Sequence, residues 1–357
     1  MLPKQAFAHG FTLLNGIGPA RLQKLLVYTH GDSAKAWYLF PEIAPLCFGP
    51  DVWPSMVAQW RTIELAKEYD RVEKLGISMV CPQQAEYPEL LRELPQPPIA
   101  LYYRGRLNIP TDSVTVVGTR RSTDYGRSCV RRLLSSLPKD RVGIVSGLAF
   151  GIDAEAHKTA LQNGLYTLAV LASGVDIITP HSHGRLAQQI LDAGGCILSE
   201  SPPGTIPTEG SFPRRNRILA GLTRFTLVVE AAADSGSLIT ARRALEQNRE
   251  IGVVPGPIYS PTSTGCFDLL AQGARLVRSS QDILDFYNVS AGSPRTKPML
   301  TDIESAFITC LEQTPLPLDA LIVKSGLNAS QAMILLTELE MKGAVRSVPG
   351  LGYALDE

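Results

Sequence analysis

The chain has 357 residues, of which 45% are hydrophobic and 19% are charged, and its formal net charge is zero. This composition excludes a disordered chain, and the balanced charge excludes a protein that is basic throughout. The length predicts about two or three domains. The six cysteines are scattered singly without a C-x-x-C pair, which indicates reduced thiols rather than disulfides or a zinc site.

The sequence offers no pattern for export or for membrane insertion. Its first residues, MLPKQAFAHGF, lack a signal-peptide pattern, and no apolar run approaches about 18 residues. We therefore expect a cytoplasmic protein without a membrane partner. The histidine pair His181 and His183 has no third ligand at metal-site spacing, so we expect neither a metal nor another cofactor.

Residues 1–98 are predicted to form a helical domain and a connector. The segment FTLLNGIGPARLQKLLV has apolar residues on both sides of Gly16-Ile17-Gly18, and Pro19 suits the first position of a helix. This pattern is typical of a helix–hairpin–helix or sterile-alpha-motif-like unit. Its glycine turn either presents backbone N–H groups to a DNA phosphate or is only a tight helix–helix turn, and the sequence favours neither. The Pro-rich residues 95–98 end the connector.

Residues 99–288 are predicted to form an α/β core. Six strand-like runs alternate with helical segments, namely VTVVG, GIVSG, TLAVLASG, CILSE, TLVVE and IGVVP. Continuous β-branched runs between amphipathic helices predict a doubly wound parallel sheet that is covered on both faces. Ligands of such sheets bind beyond the carboxyl ends of the strands, where the notable polar motifs of this region fall. The region contains 20 basic and 16 acidic residues, and 18 of the basic residues are arginines.

Two motifs, which are separated along the chain by the predicted strand TLVVE, together predict a site for a polyanion. The segment Phe212–Arg217 places an aromatic ring and three guanidinium groups within six positions. Guanidinium groups suit phosphate oxygens and also stack on bases. The second motif, Ser235–Ser237, opens the next helix with small residues that let N–H groups and hydroxyls approach an anion. Either motif alone also fits an ordinary βαβ unit with a serine cap, but the pair favours the anion site.

Two other strand ends carry polar residues. In VVGTRRSTDYG, Arg120 and Arg121 would point into the cleft from the first strand end, although solvated surface arginines would give the same pattern. In SGLAFGID, Ser146 and Gly147 end the next strand. Asp153 in the same motif is interpreted as a carboxylate at a helix N-terminus rather than a catalytic acid.

The motifs favour binding over catalysis. An enzyme should show a nucleophile with a base, a carboxylate pair or a metal set. The chain has no Walker, G-x-S-x-G or H-E-x-x-H motif. We interpret His157 as a packing or capping residue, and Glu200 and Glu230 as partners of cleft loops rather than ribose ligands. A nucleotide-binding or nucleotide-hydrolysing enzyme stays open as the alternative, as does a scaffold with a vestigial phosphate pocket.

The C-terminal part is predicted to be a flexible linker, residues 289–298, followed by a winged-helix domain, residues 299–357. Three helix patterns precede VRSVPGLGYAL, which predicts a hairpin with Pro349-Gly350 at its turn. The domain has 3 basic and 8 acidic residues. Because recognition helices need a cationic face, we expect it to contact protein or its own core rather than duplex DNA.

Most of residues 100–278 resembles the DNA-processing protein A family, DprA, also called Smf. The matching motifs, in the family's order, are VVGTRRSTDYG, SGLAFGIDAEAHKTAL, LSESPPGTIPTEGSFPRRNRILAGL and VVEAAADSGSLITARRALEQNREIGVVPGP. The resemblance implies an extended Rossmann-like core between a sterile-alpha-motif-like domain and a winged helix. It also implies a homodimer that binds and protects incoming single-stranded DNA and helps load the RecA recombinase in natural transformation and homologous recombination.

The sequence departs from the family pattern in two side loops of the cleft. Ala172, Thr179 and Gly184 stand where members usually have glycine, tyrosine and asparagine. The residues CFDLL follow Gly265 where members usually have a small-polar-Asn pattern. Neither departure touches the arginine motif or the Ser-Gly-Ser motif.

The resemblance also implies a division of roles within the pocket. Phe212 would stack a base, the three residues after Arg214 would shape the facing loop, and the serine turn would supply hydroxyls and N–H groups. A cationic groove with an aromatic platform holds single strands without base-specific readout. The predicted DNA- or phosphate-binding residues are Gly118, Thr119, Arg120, Arg121, Ser146, Gly147, Phe212, Arg214, Arg215, Asn216, Arg217, Ser235, Gly236, Ser237 and Thr240.

Overall fold

The structure, a computed structural model, describes residues 2–288, 301–311, 315–342, 344–348 and 351–355. The chain separates into two compact units that divide between Ala291 and Gly292. The predicted linker, residues 289–298, lies outside the described residues.

The first unit begins with a helical bundle around an aromatic core. The rings of Phe11 and Trp37 meet edge to face with 5.3 Å between their centroids. Pro19 opens the second helix, as predicted. Arg21 Nη1 donates a 2.7 Å hydrogen bond to the Gly16 carbonyl, which ties this basic side chain to its own turn and favours the tight-turn interpretation. The helices are α1 (Lys4–Leu13), α2 (Pro19–Val27), α3 (Ser33–Tyr38), α4 (Phe40–Cys47), α5 (Trp53–Thr62) and α6 (Leu65–Lys74).

Nine strands of the described residues form one sheet in the order β1-β2-β6-β5-β4-β3-β7-β8-β9. The six predicted strands correspond to β3 to β8, and they run parallel as expected. The strands are β1 (Ser78–Val80), β2 (Leu101–Gly105), β3 (Val114–Val117), β4 (Gly143–Ser146), β5 (Tyr166–Val170), β6 (Cys196–Ser199), β7 (Phe225–Val228), β8 (Glu250–Val253) and β9 (Arg275–Leu276).

The two edges of the sheet extend beyond the predicted strands. At one edge β2 pairs antiparallel with β6, and β1 pairs antiparallel with β2. At the other edge the two-residue strand β9 runs parallel to β8. The predicted boundary at residue 98 runs through this sheet, because β1 lies before it in the chain.

Helices cover both faces of the sheet because successive strand residues point to opposite sides. Val114 and Val116 pack in the core that contains residues of α8 and α9, whereas Val117 packs in the core that contains residues of α12. The helices of this region are α7 (Glu89–Arg92), α8 (Asp124–Ser135), α9 (Ile152–Gln162), α10 (Gly184–Asp192), α11 (Ser211–Gly221), α12 (Gly236–Glu246), α13 (Thr264–Ala271) and α14 (Ser280–Tyr287).

The order of the strands reverses between β3 and β7. From β3 the chain moves outward through β4, β5 and β6, and it then returns to β7 on the other side of β3. The loops that follow β3 and β7 therefore diverge, and the carboxyl ends of these strands flank a crevice. Such a topological switch point is the usual ligand site of doubly wound sheets.

The second unit has the three helices and the hairpin of the predicted winged helix. Its core includes Phe307, Leu321 and Leu336. Lys342 Nζ lies 2.6 Å and 2.7 Å from the carboxylate oxygens of buried Glu304. The predicted turn residues Pro349-Gly350 lie outside the described residues. The elements are α15 (Asp302–Ile308), α16 (Leu318–Ser325), α17 (Ala329–Met341), β10 (Val345–Val348) and β11 (Gly352–Leu355).

A membrane span was not expected from the sequence. In the part of the chain that the structure describes, every single helix is too short or too polar to cross a membrane. Helices α16 and α17 satisfy the length and composition limits only as a pair, which is bent by 106°.

Candidate nucleic-acid interface

A cavity of about 530 Å³ opens at the switch point. The first turns of α9, α11 and α12 contribute to its wall, together with the turn that follows β3. Helix N-termini present unpaired N–H groups and the positive end of the helix dipole, so three of them around one cavity attract an anion. The predicted site residues that line this cavity are Gly118, Arg120, Phe212, Arg215, Asn216, Ser235, Gly236, Ser237 and Thr240.

Arg120 and Phe212 form a cation–π contact at the cavity. Arg120 is exposed, and its Cζ atom lies 5.3 Å from the centroid of the Phe212 ring. Within the described residues, no ion pair involves Arg120. The contact is worth about 0.5–1 kcal/mol at an exposed site, so it orients the guanidinium without consuming its hydrogen-bond donors. The pair places a partly buried aromatic ring beside a cation that forms no ion pair within the described residues.

The serine turn before α12 caps its helix and leaves room for a ligand. Ser235 is the N-cap, and its Oγ accepts a 3.4 Å hydrogen bond from the Ser237 backbone N–H. The two hydroxyl oxygens lie 2.7 Å apart at the cavity wall. A Cβ atom placed on exposed Gly236 would meet nothing within 4 Å, so the backbone there is accessible. Thr240, one turn further on, is buried against the same cavity.

Arg215 is buried in the floor of the cavity, and its guanidinium is engaged by the protein. Its Nη1 donates to the carbonyls of Gly147, at 2.7 Å, and of Val170, and its Nε donates to Asn216 Oδ1 at 3.2 Å. Burial lowers the pKa of Arg215 to about 10, opposed by the charge of Asp153 and reinforced by that of Arg120. Arg215 therefore joins α11 to the ends of two strands, in keeping with the loop-shaping role that the resemblance implied.

Ser146 and Gly147 do not line the cavity, and their polar groups form hydrogen bonds within the protein. Ser146 Oγ donates to the Val116 carbonyl at 2.7 Å. The N–H groups of Gly147 and Ala149 donate to Asp153 Oδ2 at 3.1 Å and 3.3 Å. A Cβ atom at residue 147 would lie 2.6 Å from Arg215 Nη1, so only glycine allows this approach.

Arg217 also lies outside the cavity. It forms an ion pair with Glu200, and its Nη1 donates to the Gln96 carbonyl at 3.0 Å. Its own carbonyl accepts a 3.0 Å hydrogen bond from Gln247 Nε2. These contacts connect α11 with the connector before β2 and with α12. They favour a bracing role for Arg217, and its part in DNA binding stays a prediction.

Three further predicted residues, Thr119, Arg121 and Arg214, are outside the cavity lining. The Thr119 backbone N–H donates to the Glu230 carbonyl at 2.7 Å, and its side chain accepts from the Arg121 backbone N–H at 3.2 Å. Arg121 and Arg214 are exposed.

The sequence analysis missed Glu209 and Pro213, which line the cavity beside Phe212 and were detectable only through their position next to that ring.

Glu230 contacts a cleft loop and His157 packs in the core, in keeping with their interpretation as structural residues. The carboxylate of Glu230 accepts hydrogen bonds from the Thr123 N–H at 3.0 Å and from its Oγ1 at 2.6 Å, which fixes the loop after Arg121. His157 is buried, with 2.7 Å between its Nδ1 and Thr167 Oγ1. Burial, with smaller effects from the charges of His183 and Arg215, lowers the pKa of His157 to about 3.

Burial also raises the pKa of Asp153, although Arg215 and the backbone N–H groups oppose this shift. Asp153 lies in the first turn of α9, the helix N-terminal position expected from the sequence. All six cysteines are free. In the described ranges, no group of three or more His, Cys, Asp or Glu side chains is arranged to hold a metal ion.

The fold and the cavity define the class of protein. It is an extended Rossmann-like α/β protein with a cavity at its switch point, followed by a winged helix. Residues 78–288 match the family model for DNA recombination-mediator protein A, and residues 291–351 match the model for the DprA winged helix domain. The chain therefore belongs to the DNA-processing protein A (DprA/Smf) family.

Individual relatives support this assignment. Protein Smf of Synechocystis sp. is 32% identical over an alignment that covers 98% of each chain. The X-ray structure of DprA from Streptococcus pneumoniae is 34% identical, with a TM-score of 0.69 over 80% of this chain and 98% of that one. A structure that describes the single-stranded DNA binding mode of DNA processing protein A from Helicobacter pylori is 30% identical, with a TM-score of 0.51 over 59% of this chain and 95% of that one.

Proposed function

We propose that this protein binds single-stranded DNA in the cavity at the switch point, as a DNA recombination mediator without catalytic activity of its own. The observation that carries the proposal is the Arg120–Phe212 pair at a cavity surrounded by three helix N-termini. Phe212 stacks a base, Arg120 contacts the neighbouring phosphate, and the turn at Ser235–Ser237 binds a second phosphate. The Helicobacter pylori relative, described as a single-stranded DNA binder, supports this choice of ligand.

The wider role follows from the family. We propose that the protein acts as a homodimer in the cytoplasm, that it protects incoming single strands, and that it helps load RecA during natural transformation or recombination. These steps need surfaces outside the cavity, so each can be tested independently of DNA binding.

Fluorescence anisotropy with labelled single-stranded and double-stranded oligonucleotides of equal length, each at two salt concentrations, tests the proposal. We expect tighter binding of the single strand, because a stacking site needs an unpaired base, and weaker binding at high salt. Equal affinity for both forms would exclude the stacking role of Phe212. The absence of binding to either would favour a scaffold with a vestigial phosphate pocket.

One observation favours a second candidate, a nucleotide-binding or nucleotide-hydrolysing enzyme. The buried carboxyl of Asp153 lines the cavity with a raised pKa, a property shared by general acids and bases. Its Oδ2 atom, however, already accepts two backbone N–H groups, which favours a structural role. An assay for products released from nucleotides, with Asp153→Asn as the control, decides between the two. Turnover that depends on Asp153 would replace the binding proposal.

A further inference from the structure

A second groove, with a volume of about 660 Å³, shares Arg120 with the cavity. We call it the outer groove, and we define it by Arg120, Arg121, Phe150, Lys158 and His183, which line it together with the first turn of α9. Arg120 lines both spaces, so the cavity and the outer groove adjoin at this residue.

The outer groove has an excess of free positive charge. Its acidic residue, Glu155, is bound by Arg131 with 2.6 Å between the charged atoms, so this carboxylate is neutralised. Arg121 and Lys158 are exposed, and neither side chain forms an ion pair within the described ranges. Cations that lack a protein partner along a groove are available to phosphates.

An aromatic side chain lies beside these cations. Phe150 is 50% exposed, although a large apolar side chain gains stability from burial. Its ring meets His183 at 67°, with 4.9 Å between the centroids. His183 is fixed in turn by its Nδ1 atom, which lies 2.8 Å from the Leu148 carbonyl. Phe150 is therefore held in place while part of its ring stays open to a ligand.

We propose that the outer groove is a second single-strand binding segment, in which Phe150 stacks a base while Arg121 and Lys158 contact phosphates. This inference rests on the proposed function, because the strand reaches the outer groove from the cavity. It adds a second aromatic platform, Phe150, to the DNA footprint that Phe212 begins. An aromatic ring beside free cations is the combination by which proteins hold single strands.

The test compares oligothymidylates of about 4 and about 16 nucleotides, which span the usual range of single-strand site sizes. Wild-type protein should bind the long oligonucleotide more tightly. Phe150→Leu keeps an apolar side chain but removes the stacking face, and it should weaken binding of the long oligonucleotide at least about five-fold. Lys158→Ala should weaken it about two- to five-fold and reduce the salt slope by about 0.7. Both variants should bind the short oligonucleotide like the wild type.

Lys139→Ala is the matched control, because Lys139 is exposed, belongs to the same α/β core and lies outside both binding spaces. It should change neither affinity nor salt slope. If the Phe150 and Lys158 variants bind the long oligonucleotide like the Lys139 variant, the outer groove is not part of the footprint. Failure of the wild type to bind any single strand would instead refute the proposed function itself.

Discussion

The guanidinium of Arg120 lies over the ring of Phe212, with 5.3 Å between Cζ and the ring centroid. The two residues come from the turn after β3 and from the first turn of α11, and the reversal of strand order brings these elements together. A nucleotide has one aromatic part and one anionic part. The Phe212 ring suits the aromatic part and the Arg120 guanidinium suits the anionic part. This combination distinguishes the cavity from a site that binds only phosphate.

Replacing Arg120 with alanine should weaken binding of single-stranded DNA about ten-fold or more, because a hydrogen bond to a charged group contributes about 1.5–3 kcal/mol. Arg120 is exposed and forms no ion pair within the described residues, so the free energy of unfolding should fall by no more than about 1 kcal/mol, the value of its cation–π contact with Phe212. Anisotropy titration and circular dichroism melting measure the two quantities. Arg242→Ala, which removes an exposed arginine on α12 outside the cavity, is the control. Equal losses in both variants would mean that only net charge matters.

Arg215→Met should destabilise the first unit by about 1–3 kcal/mol, because the carbonyls of Gly147 and Val170 lose their buried donor. Methionine keeps most of the side-chain volume, so the loss reports hydrogen bonding rather than a cavity. Urea unfolding gives the free energy of unfolding. The neighbouring exposed Arg214 provides the control, and Arg214→Met should stay within about 0.5 kcal/mol of the wild type. Unchanged stability of Arg215→Met together with weakened DNA binding would make Arg215 a ligand residue.

Arg217 and Glu200 should behave as a structural pair. A double-mutant cycle with Arg217→Ala and Glu200→Ala should give a coupling energy of about 0.5–3 kcal/mol in urea unfolding, because the ion pair is only partly exposed. The loss of DNA affinity in Arg217→Ala should be smaller than in Arg120→Ala. The contrary outcome has two parts: the two substitutions change the free energy of unfolding additively, and Arg217→Ala loses as much DNA affinity as Arg120→Ala. Arg217 would then be a DNA-binding residue.

The sequence was sufficient to predict the six central strands and the edge of the sheet at which the cavity lies. Continuous apolar runs identify buried parallel strands, and polar motifs at their ends must converge. It was not sufficient for β1 and β9, which are too short to show a period. It also did not separate the arginines of the Phe212–Arg217 segment. Which of them faces a ligand depends on carbonyls and carboxylates that tertiary packing brings from distant parts of the chain.

Acid should destabilise the first unit through His157. Its pKa in the folded protein is about 3, below the ordinary value of 6.5, because burial disfavours the charged ring. The stability from its neutral form is complete above pH 6.5 and is lost as the pH falls towards 3. Between pH 6.5 and 5 this loss is about 2 kcal/mol. Urea unfolding of the wild type and of His157→Gln across this window should show a smaller pH dependence in the variant. Equal slopes would mean that His157 titrates normally.

Deleting residues 289–357 should leave the affinity for single-stranded DNA unchanged or slightly raised. The deleted residues 289–357 include 5 basic and 8 acidic residues, whereas the core has 20 and 16, so the deleted part repels phosphates. Any rise should be larger at low salt, because exposed charges are screened beyond about 10 Å in 0.1 M salt. The remaining unit keeps its own hydrophobic cores, and melting checks that it stays folded.

The full-length variant Glu338→Gln/Glu340→Gln separates charge from domain removal, because both side chains are exposed on α17. If charge is the cause, this variant should reproduce part of the rise at low salt. The contrary result is a large loss of affinity in a truncation that still melts cooperatively. The winged helix would then bind DNA despite its acidic surface, and the assignment of DNA binding to the α/β core alone would be wrong.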